Sequence, residues 1–240
     1  GQRSALEFEK FNKFSESLFD FFKDPIIMSP KPKIFPLFLN SFVYWKLLKE
    51  LLIRNKNLYN YLSENFSDYR LKQLFSRYST YVGGSPFMSP SILSLIWNVE
   101  CQGVWRVKGG MYNLAKEIES VARKSGTQFF YKSKVKKILV KNNKITGIEL
   151  NDSRVIHSNT VIFNGDPKAL LDGLVGKDVK KAVSTKNVQN RSLSAYVWSF
   201  AAKTKGLKLR HHNVLFNKNY KNEFEDIKKG EIPKDPTLYI

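Results

Sequence analysis

The sequence predicts an α/β protein whose first hundred residues are helical, and three observations support this. The 240 residues contain 42% hydrophobic and 14% aromatic side chains, which is enough for a core and too many for a disordered polyelectrolyte. Up to about residue 100 apolar residues recur at helical spacing, whereas beyond residue 103 they occur in short runs separated by tight turns. The length corresponds to one large domain or to two interleaved ones.

The first hundred residues predict helices interrupted by prolines. Ser4 and Glu7 have the spacing of a capping box, and apolar residues follow at helical intervals as far as Phe22. A loop is then expected at the four prolines between residues 25 and 36. Further helices are expected over 37–53, 58–64 and 69–80. Another helix is expected to have Ser89 as its N-cap and Pro90 in its first turn, and to end at about 101–103.

Beyond residue 103 the sequence predicts short strands around one amphipathic helix. Gly109 and Gly110 precede this helix, whose apolar residues repeat at 111, 114, 115, 118, 121 and 122, and Gly126 ends it. Strands are expected over 104–107, 127–131, 135–141, 145–150, 155–156, 160–163, 192–201 and 213–216. The run 160–163 is expected to be buried, and helices are expected over 168–174 and 220–229.

The net charge of +19 lies mostly in the second part of the chain. Residues 1–100 carry 13 basic and 9 acidic side chains, and residues 101–240 carry 27 and 12. Such an excess attracts an anionic membrane surface or, less readily, nucleic acid, but most lysines are scattered singly, and codon bias is the favoured explanation. A nucleic-acid-binding module would need aromatic residues among the basic ones, and the predicted hairpin at 134–144 has only aliphatic partners. We expect no nucleic-acid partner.

Few residues are suited to metal or redox chemistry. The single cysteine, Cys101, excludes a disulfide within this chain and is expected to be a small buried side chain. The three histidines lack H-E-x-x-H spacing, so no metal site is expected. His211 and His212 would point to opposite faces of a strand and could not serve one site. No catalytic acid or base is assigned.

The sequence predicts no signal peptide and no membrane span. The most apolar stretch, 34–48, is interrupted by Pro36, Asn40, Ser41 and Lys46. The chain begins at Gly1 in a polar helix and stops at Ile240 in the expected start of a strand. Both ends are therefore expected to be cut from a longer protein of a reducing, cytoplasmic compartment.

Several sequence blocks occur in an order that resembles a known family. They are Gly83-Gly84-Ser85-Pro86 within 81–91, and the segments 107–111, 164–167, 191–195, 211–216 and 220–227. Together they resemble the phytoene-desaturase-type carotenoid desaturases, which are flavoproteins of the amine-oxidase-like superfamily. The later blocks are most similar to the hydroxyneurosporene (methoxyneurosporene) desaturase branch.

The resemblance implies an FAD/NAD(P)-binding, amine-oxidase-like α/β fold. Its expected segments are a helical region over 1–100 in the substrate domain, a return segment of the flavin domain over 101–167, and part of the substrate-domain sheet over 168–240. The family's G-x-G-x-x-G turn does not occur in this chain, so the N-terminal Rossmann unit and a C-terminal flavin segment are expected to lie outside it. Alone, the chain is expected to be inactive.

The resemblance also implies an activity and its partners. The expected cofactor is FAD, and the expected substrate is a carotenoid that loses two hydrogens from adjacent saturated carbons, as in 3,4-desaturation of a 1-hydroxycarotenoid. A phytoene desaturase or a related polyene desaturase or isomerase is the alternative. Because carotenoids enter from lipid, a peripheral membrane contact is expected at the apolar segment 34–46 and its flanking lysines at 31, 33, 46 and 49.

The cofactor-binding residues that the resemblance implies are Lys108, Gly109, Gly110, Val135, Asn164, Gly165 and Asp166. The first three match a Gly-Gly turn whose helix lies against the flavin domain. Val135 matches a strand whose backbone meets the adenine end of FAD, and the last three match Ser-Asn-Ala-Asp-Pro with Gly165 in place of Ala. From the residues alone, Val135 is equally a core strand residue and Asp166 a helix N-cap.

Overall fold

The computed structural model describes residues 1–54, 56–206 and 208–240, and no side chain is described for residues 50–54. Its contacts define two compact units. Unit 1 comprises Gly1–Val104 and Ser192–Ile240, and unit 2 comprises Trp105–Arg191. The described residues combine α-helices with short antiparallel strands, a mixture compatible with the predicted α/β class.

The α-helices have the following bounds. They are Gln2–Phe22 (α1), Ile34–Val43 (α2), Trp45–Arg54 (α3), Leu58–Asn65 (α4), Tyr69–Ser76 (α5), Leu95–Cys101 (α6), Met111–Lys124 (α7), Pro167–Leu171 (α8), Thr185–Gln189 (α9) and Tyr220–Lys229 (α10). A π-helical turn extends α1 over Lys23–Ile27, and 3-10 turns lie at Arg77–Val82, Ser91–Ser94 and Asp178–Ala182.

Unit 1 is built around an aromatic core. Phe11 of α1 lies between Phe66 and Phe75, with ring centroids 5.2 and 4.5 Å away. The helical spacing of the phenylalanines in α1 places them on one face, and α4, α5 and α6 pack against it. The buried members of this core are Phe11, Leu58, Tyr61, Leu62, Phe66, Phe75 and Tyr78.

Helix ends in unit 1 differ from the prediction. Ser4 lies inside α1, so the capping box is wrong, and the Glu7 carboxylate instead accepts a hydrogen bond from Ser67 N at 2.9 Å. The expected helix over 37–53 is divided at Tyr44, which lies between α2 and α3. The first of these helices also begins earlier than expected, at Ile34, with Pro36 in its first turn, where proline is tolerated. The Ser89 cap is also wrong, since no side chain caps the turn that follows Pro90.

The second part of unit 1 carries a small antiparallel ribbon. Strand β4 (Val214–Leu215) pairs with β5 (Leu238–Tyr239), and the strand predicted over 213–216 is confirmed in its centre. The buried Glu223 of α10 anchors the ribbon by accepting hydrogen bonds from Thr237 N at 2.7 Å and Thr237 Oγ1 at 2.8 Å. Residues 192–201, which were expected to form a strand, have no strand assignment.

Unit 2 contains α7 and a three-stranded antiparallel sheet. The sheet has the order β1 (Val135–Lys141), β2 (Lys144–Leu150) and β3 (Val155–His157), as the sequence predicts. Asn142 and Asn143 both have positive φ angles, 51° and 60°, which fits the two-residue hairpin turn. Buried apolar side chains in this unit are Ile138, Leu150, Val179 and Val188.

The other strands expected in unit 2 do not form in the described residues. Segments 104–107, 127–131 and 160–163 have no strand assignment, and Ile162, expected to be buried, is 91% exposed. A strand requires a neighbour that pairs with its backbone, and apolar runs alone do not supply one. The helix expected over 168–174 is shorter, because α8 ends at Leu171 and Gly173 follows with a φ of 76°.

None of the helices in the described part of the chain combines the length and the hydropathy needed to cross a bilayer.

Candidate functional site

The Gly109-Gly110 turn leads directly into α7. Gly110, the residue before α7, has a φ of 92°, and its N–H donates to the Val107 carbonyl at 3.0 Å. Gly109 has a φ of 80°, and a Cβ placed on it would lie 2.2 Å from Asn113 Nδ2. A Cβ on Gly110 would meet nothing within 4 Å. Gly109 is therefore required by its own turn, whereas Gly110 presents open backbone.

The first turn of α7 is suited to a negatively charged group. No side chain caps it and it carries no acidic residue, so no side chain compensates the positive end of the helix dipole there. Lys108 is exposed next to this turn, and its carbonyl accepts from Asn113 Nδ2 at 3.2 Å. The site thus combines a lysine, open glycine backbone and a helix N-terminus.

Val135 lies at the start of β1 and is partly buried. It pairs with Leu150 of β2, and the neighbouring Lys134 carbonyl accepts from Asn151 N at 2.9 Å. The core of the unit lies just beyond, at Ile138 and Leu150. Val135 therefore has the surroundings of a sheet residue at the edge of the core.

Asp166 has its carboxylate fully engaged. It caps α8 by accepting from Lys168 N at 2.9 Å, and it forms a two-pronged ion pair with Arg191, in which Nη1 lies 3.0 Å from Oδ1. Hydrogen bonding to Arg191 holds the pKa of Asp166 down at about 2. Asp166 is thus an ionised anchor that joins the turn before α8 to the last residue of unit 2.

Asn164 and Gly165 precede this anchor and are exposed. A Cβ on Gly165 would lie 2.5 Å from Cζ of the Phe163 ring, so the ring occupies the place of an alanine methyl group. The seven implied cofactor residues therefore lie in one unit, at the α7 turn, the start of β1 and the α8 turn.

The apolar face of α7 is present but exposed. Met111, Ile118 and Val121 are 68%, 62% and 63% exposed, and Leu114 is 41% exposed. The sequence correctly predicts this amphipathic helix, but within the described residues its apolar face is not buried.

The other Gly-Gly pair, in unit 1, fits a close approach of two chain segments. Gly83 has a φ of 66°, and its carbonyl accepts from Leu193 N at 2.7 Å. A Cβ on Gly83 would lie 2.5 Å from Ser192 Cβ, and one on Gly84 would lie 2.4 Å from Ser89 Oγ. Gly83 therefore permits the close approach of the chain at 192–193, and Gly84 permits that of Ser89.

A half-buried network in unit 1 has no signal in the sequence. Arg77 Nη2 donates to both carboxylate oxygens of Glu100 at 2.9 Å, and the hydroxyls of Tyr78 and Tyr81 donate to the same carboxylate at 2.9 and 2.7 Å. Burial raises the pKa of both tyrosines, which remain proton donors. Every group in the network is paired, as expected for a structural tie between the turn after α5 and α6.

The histidine pair is arranged differently from the prediction. His211 and His212 lie in a bend before β4, and their ring centroids are 4.4 Å apart, so their expected placement on opposite faces is wrong. The Tyr239 hydroxyl lies 2.8 Å from His212 Nδ1. Within the described ranges, no group of three or more His, Cys, Asp or Glu side chains could hold a metal ion.

Cys101 is exposed, so the expectation of a buried side chain is wrong. It is the last residue of α6, and its thiol lies 3.2 Å from the Asn98 carbonyl.

Helix α2 exposes most of its apolar side chains. Ile34 is 81% exposed, Phe38 58% and Phe42 66%, while Asn40 Nδ2 holds the helix to α1 by donating to the Phe21 carbonyl at 3.1 Å. Lysines flank the helix at positions 31, 33, 46 and 49, and all four are exposed. This arrangement of bulky apolar groups beside cations is typical of a surface that contacts lipid.

Comparison with known proteins gives close relatives over the whole chain. The hydroxyneurosporene desaturase of Cereibacter sphaeroides is 39% identical over 240 residues, which is all of this chain and 48% of the relative. That of Rhodobacter capsulatus is 38% identical over 243 residues, again all of this chain and 48% of the relative.

A further relative is described by a different activity. The 1-hydroxycarotenoid 3,4-desaturase of a Flavobacterium strain is 35% identical over 184 residues, covering 74% of this chain and 36% of the relative. No protein-family model matches the chain. The chain spans about half the length of the curated hydroxyneurosporene desaturases it matches. Over its 240 residues, the chain is therefore homologous to about half of a carotenoid desaturase of the hydroxyneurosporene type.

Proposed function

We propose that the chain is part of an FAD-dependent carotenoid desaturase that introduces a 3,4 double bond into a 1-hydroxycarotenoid. The observation that carries the proposal is the match, 39% identical and spanning the whole chain, to a hydroxyneurosporene desaturase. The reaction class is supported by the similarity to a 1-hydroxycarotenoid 3,4-desaturase over 74% of the chain. The substrate would lose a hydride and a proton from adjacent saturated carbons, which lengthens its conjugated polyene.

The residues of unit 2 fit a flavin dinucleotide. A bound flavin would supply the hydride acceptor, a function that amino-acid side chains do not provide. Lys108, Gly109 and Gly110 would face the dinucleotide, and the open backbone at Gly110 and the positive end of α7 support this role. Val135 would contact the adenine end through its backbone.

At the α8 turn, Asn164 and Gly165 would contact the cofactor, and Asp166 would position them. The ion pair of Asp166 with Arg191 supports this division, because its carboxylate is already engaged. In the proposed enzyme, the exposed apolar face of α7 would be covered by the remainder of the flavin domain. The amine-oxidase-like fold would then be completed by the longer protein.

The activity is tested with the complete gene product. Purified protein loaded with FAD is incubated with hydroxyneurosporene in lipid vesicles, and products are separated by chromatography with absorbance detection. We expect a product that is two hydrogens lighter, with an absorption band shifted to longer wavelength. If flavin-loaded protein leaves hydroxyneurosporene and phytoene unchanged, the proposal is wrong.

A second candidate substrate is phytoene. The zeta-carotene-forming phytoene desaturase of Myxococcus xanthus is 29% identical over 187 residues, or 78% of this chain. In the same assay, conversion of phytoene in preference to hydroxyneurosporene would favour this alternative.

We also propose that α2 contacts a membrane surface without spanning it. Its exposed apolar side chains and the flanking lysines suit the interface of an anionic bilayer, from which a water-insoluble carotenoid could enter. Sedimentation with anionic liposomes tests this proposal on the complete gene product. The triple variant Phe38→Ser, Phe42→Ser and Trp45→Ser should sediment about ten-fold less than the wild type, since each lost ring removes buried apolar area.

A matched control replaces equally exposed side chains elsewhere in unit 1, namely Tyr69→Ser, Val82→Ser and Met88→Ser. The control should sediment like the wild type. If the α2 variant stays folded and sediments as well as the control, the membrane contact lies elsewhere.

A further inference from the structure

Three exposed aromatic side chains alternate with smaller residues in the segment that follows unit 2. Tyr196, Trp198 and Phe200 are 86%, 74% and 76% exposed, and the segment has no helix or strand assignment. An extended chain would carry residues i, i+2 and i+4 on the same side, so this aromatic row would be about 13 Å long at about 3.3 Å per residue.

The first two rings of this row lie on the same side of the chain. The Tyr196 and Trp198 ring centroids are 5.8 Å apart, with an angle of 55° between the ring planes. The row also begins at a fixed point, because Leu193 N donates to the Gly83 carbonyl at 2.7 Å. Gly83 permits this approach, since any Cβ there would meet Ser192. The row is thus attached to the helical part of unit 1 at its start.

The charge distribution indicates what the row would bind. No charged residue lies between Arg191 and Lys203, so the aromatic row itself suits a neutral, apolar partner. Four cations follow, at positions 203, 205, 208 and 210, and the sequence has no Asp or Glu from 179 to 222. Their N–H groups suit an oxygen at the end of an otherwise apolar molecule. A linear molecule with a polar end complements both parts.

We propose that Tyr196, Trp198 and Phe200 form a contact surface for the polyene chain of the substrate, with its hydroxyl end toward the following cations. This inference rests on the proposed function for the class of substrate. A conjugated polyene is flat, rod-like and polarisable, so it gains dispersion contact along a row of aromatic faces. The three residues would therefore determine substrate affinity without taking part in hydrogen removal.

The test is steady-state kinetics of the complete, FAD-loaded enzyme with hydroxyneurosporene in vesicles. Trp198→Ala and the double variant Tyr196→Leu with Trp198→Leu should each raise KM about ten-fold and change kcat less than two-fold, because uniform binding is lost. Trp198→Phe keeps a ring and should restore KM to within about two-fold of the wild type. The double leucine variant keeps apolar volume, so its KM is the deciding measurement if Trp198→Ala does not fold.

The matched control is Val197→Ala, which alters an 80% exposed aliphatic neighbour that lies between the two rings in the sequence. It should leave KM unchanged. An equal rise of KM in Val197→Ala, or an unchanged KM in the ring variants, would overturn the inference. If the ring variants lose vesicle sedimentation in proportion to their KM, the rings bind lipid and the inference is also wrong. Inactive wild-type enzyme would instead contradict the proposed function.

Discussion

The two units treat their apolar faces in opposite ways. In unit 1 the phenylalanine face of α1 is covered by α4, α5 and α6, and Phe11 is 1% exposed. In unit 2 the equally regular apolar face of α7 is uncovered, and Ile118 is 62% exposed. Spacing along the chain therefore determines that a helix is amphipathic, whereas burial depends on a partner.

The largest expected effect is a loss of stability when the buried aromatic core of unit 1 is altered. Phe75→Ala should lower the free energy of unfolding by about 3–5 kcal/mol, because it leaves a cavity in the aromatic core of unit 1. Phe75 is 2% exposed and lies within 4.5–6.2 Å, centroid to centroid, of several other rings. Chemical denaturation of the 240-residue chain measures the change.

Ile118→Ala provides the comparison in unit 2. In the same 240-residue chain it should change the free energy of unfolding by less than about 0.5 kcal/mol, as for an exposed position. In the complete gene product the cost should rise to about 2 kcal/mol or more, if the flavin domain covers α7. Equal costs in the two proteins would contradict the proposed covering of this face.

The comparison also explains what the sequence could predict. The helix positions in unit 1 and the β1–β2–β3 meander were predictable, because their apolar spacing and the Asn142-Asn143 turn are local signals. The strand expected at 160–163 was wrong, because a backbone partner is not a local property. The Arg77–Glu100 pair joins residues far apart in the sequence, and the contact of His211 with His212 depends on a bend. The implied cofactor residues came from family resemblance and stay a prediction.

A smaller effect distinguishes two glycines of the proposed cofactor site. Gly109→Ala should cost about 1–2 kcal/mol of folding stability, because a φ of 80° is unfavourable for alanine and its Cβ would approach Asn113. Gly165→Ala should cost less than about 1 kcal/mol, since only the end of the Phe163 ring must move. Thermal unfolding of both variants measures the difference, and an equal loss would contradict the described geometry.

The smallest effect concerns the exposed ion pair of Asp166 and Arg191. The pKa of Asp166 is lowered from 3.8 to about 2, so the stability that it contributes is fully present well above 3.8. That contribution is lost as the pH falls toward 2. Asp166→Asn should keep the helix cap but lack this part of the acid dependence. Melting temperatures measured from neutral to acid pH provide the comparison.

The control for the ion pair is Asp172→Asn, which removes another partly exposed carboxylate of unit 2. It should retain the acid dependence of the wild type that arises from Asp166. Identical acid profiles for wild type and Asp166→Asn would show that the pair with Arg191 does not form in solution.

The most direct test of the account is a flavin titration of the 240-residue chain beside the complete gene product. We expect the α7 turn to supply only part of the cofactor site, because the 240 residues contain no G-x-G-x-x-G turn for the pyrophosphate. We predict that the complete gene product binds one FAD per chain and shows a flavin spectrum, whereas the 240-residue chain binds FAD weakly. Tight, stoichiometric binding by the 240-residue chain, or no flavin in the complete gene product, would contradict the account.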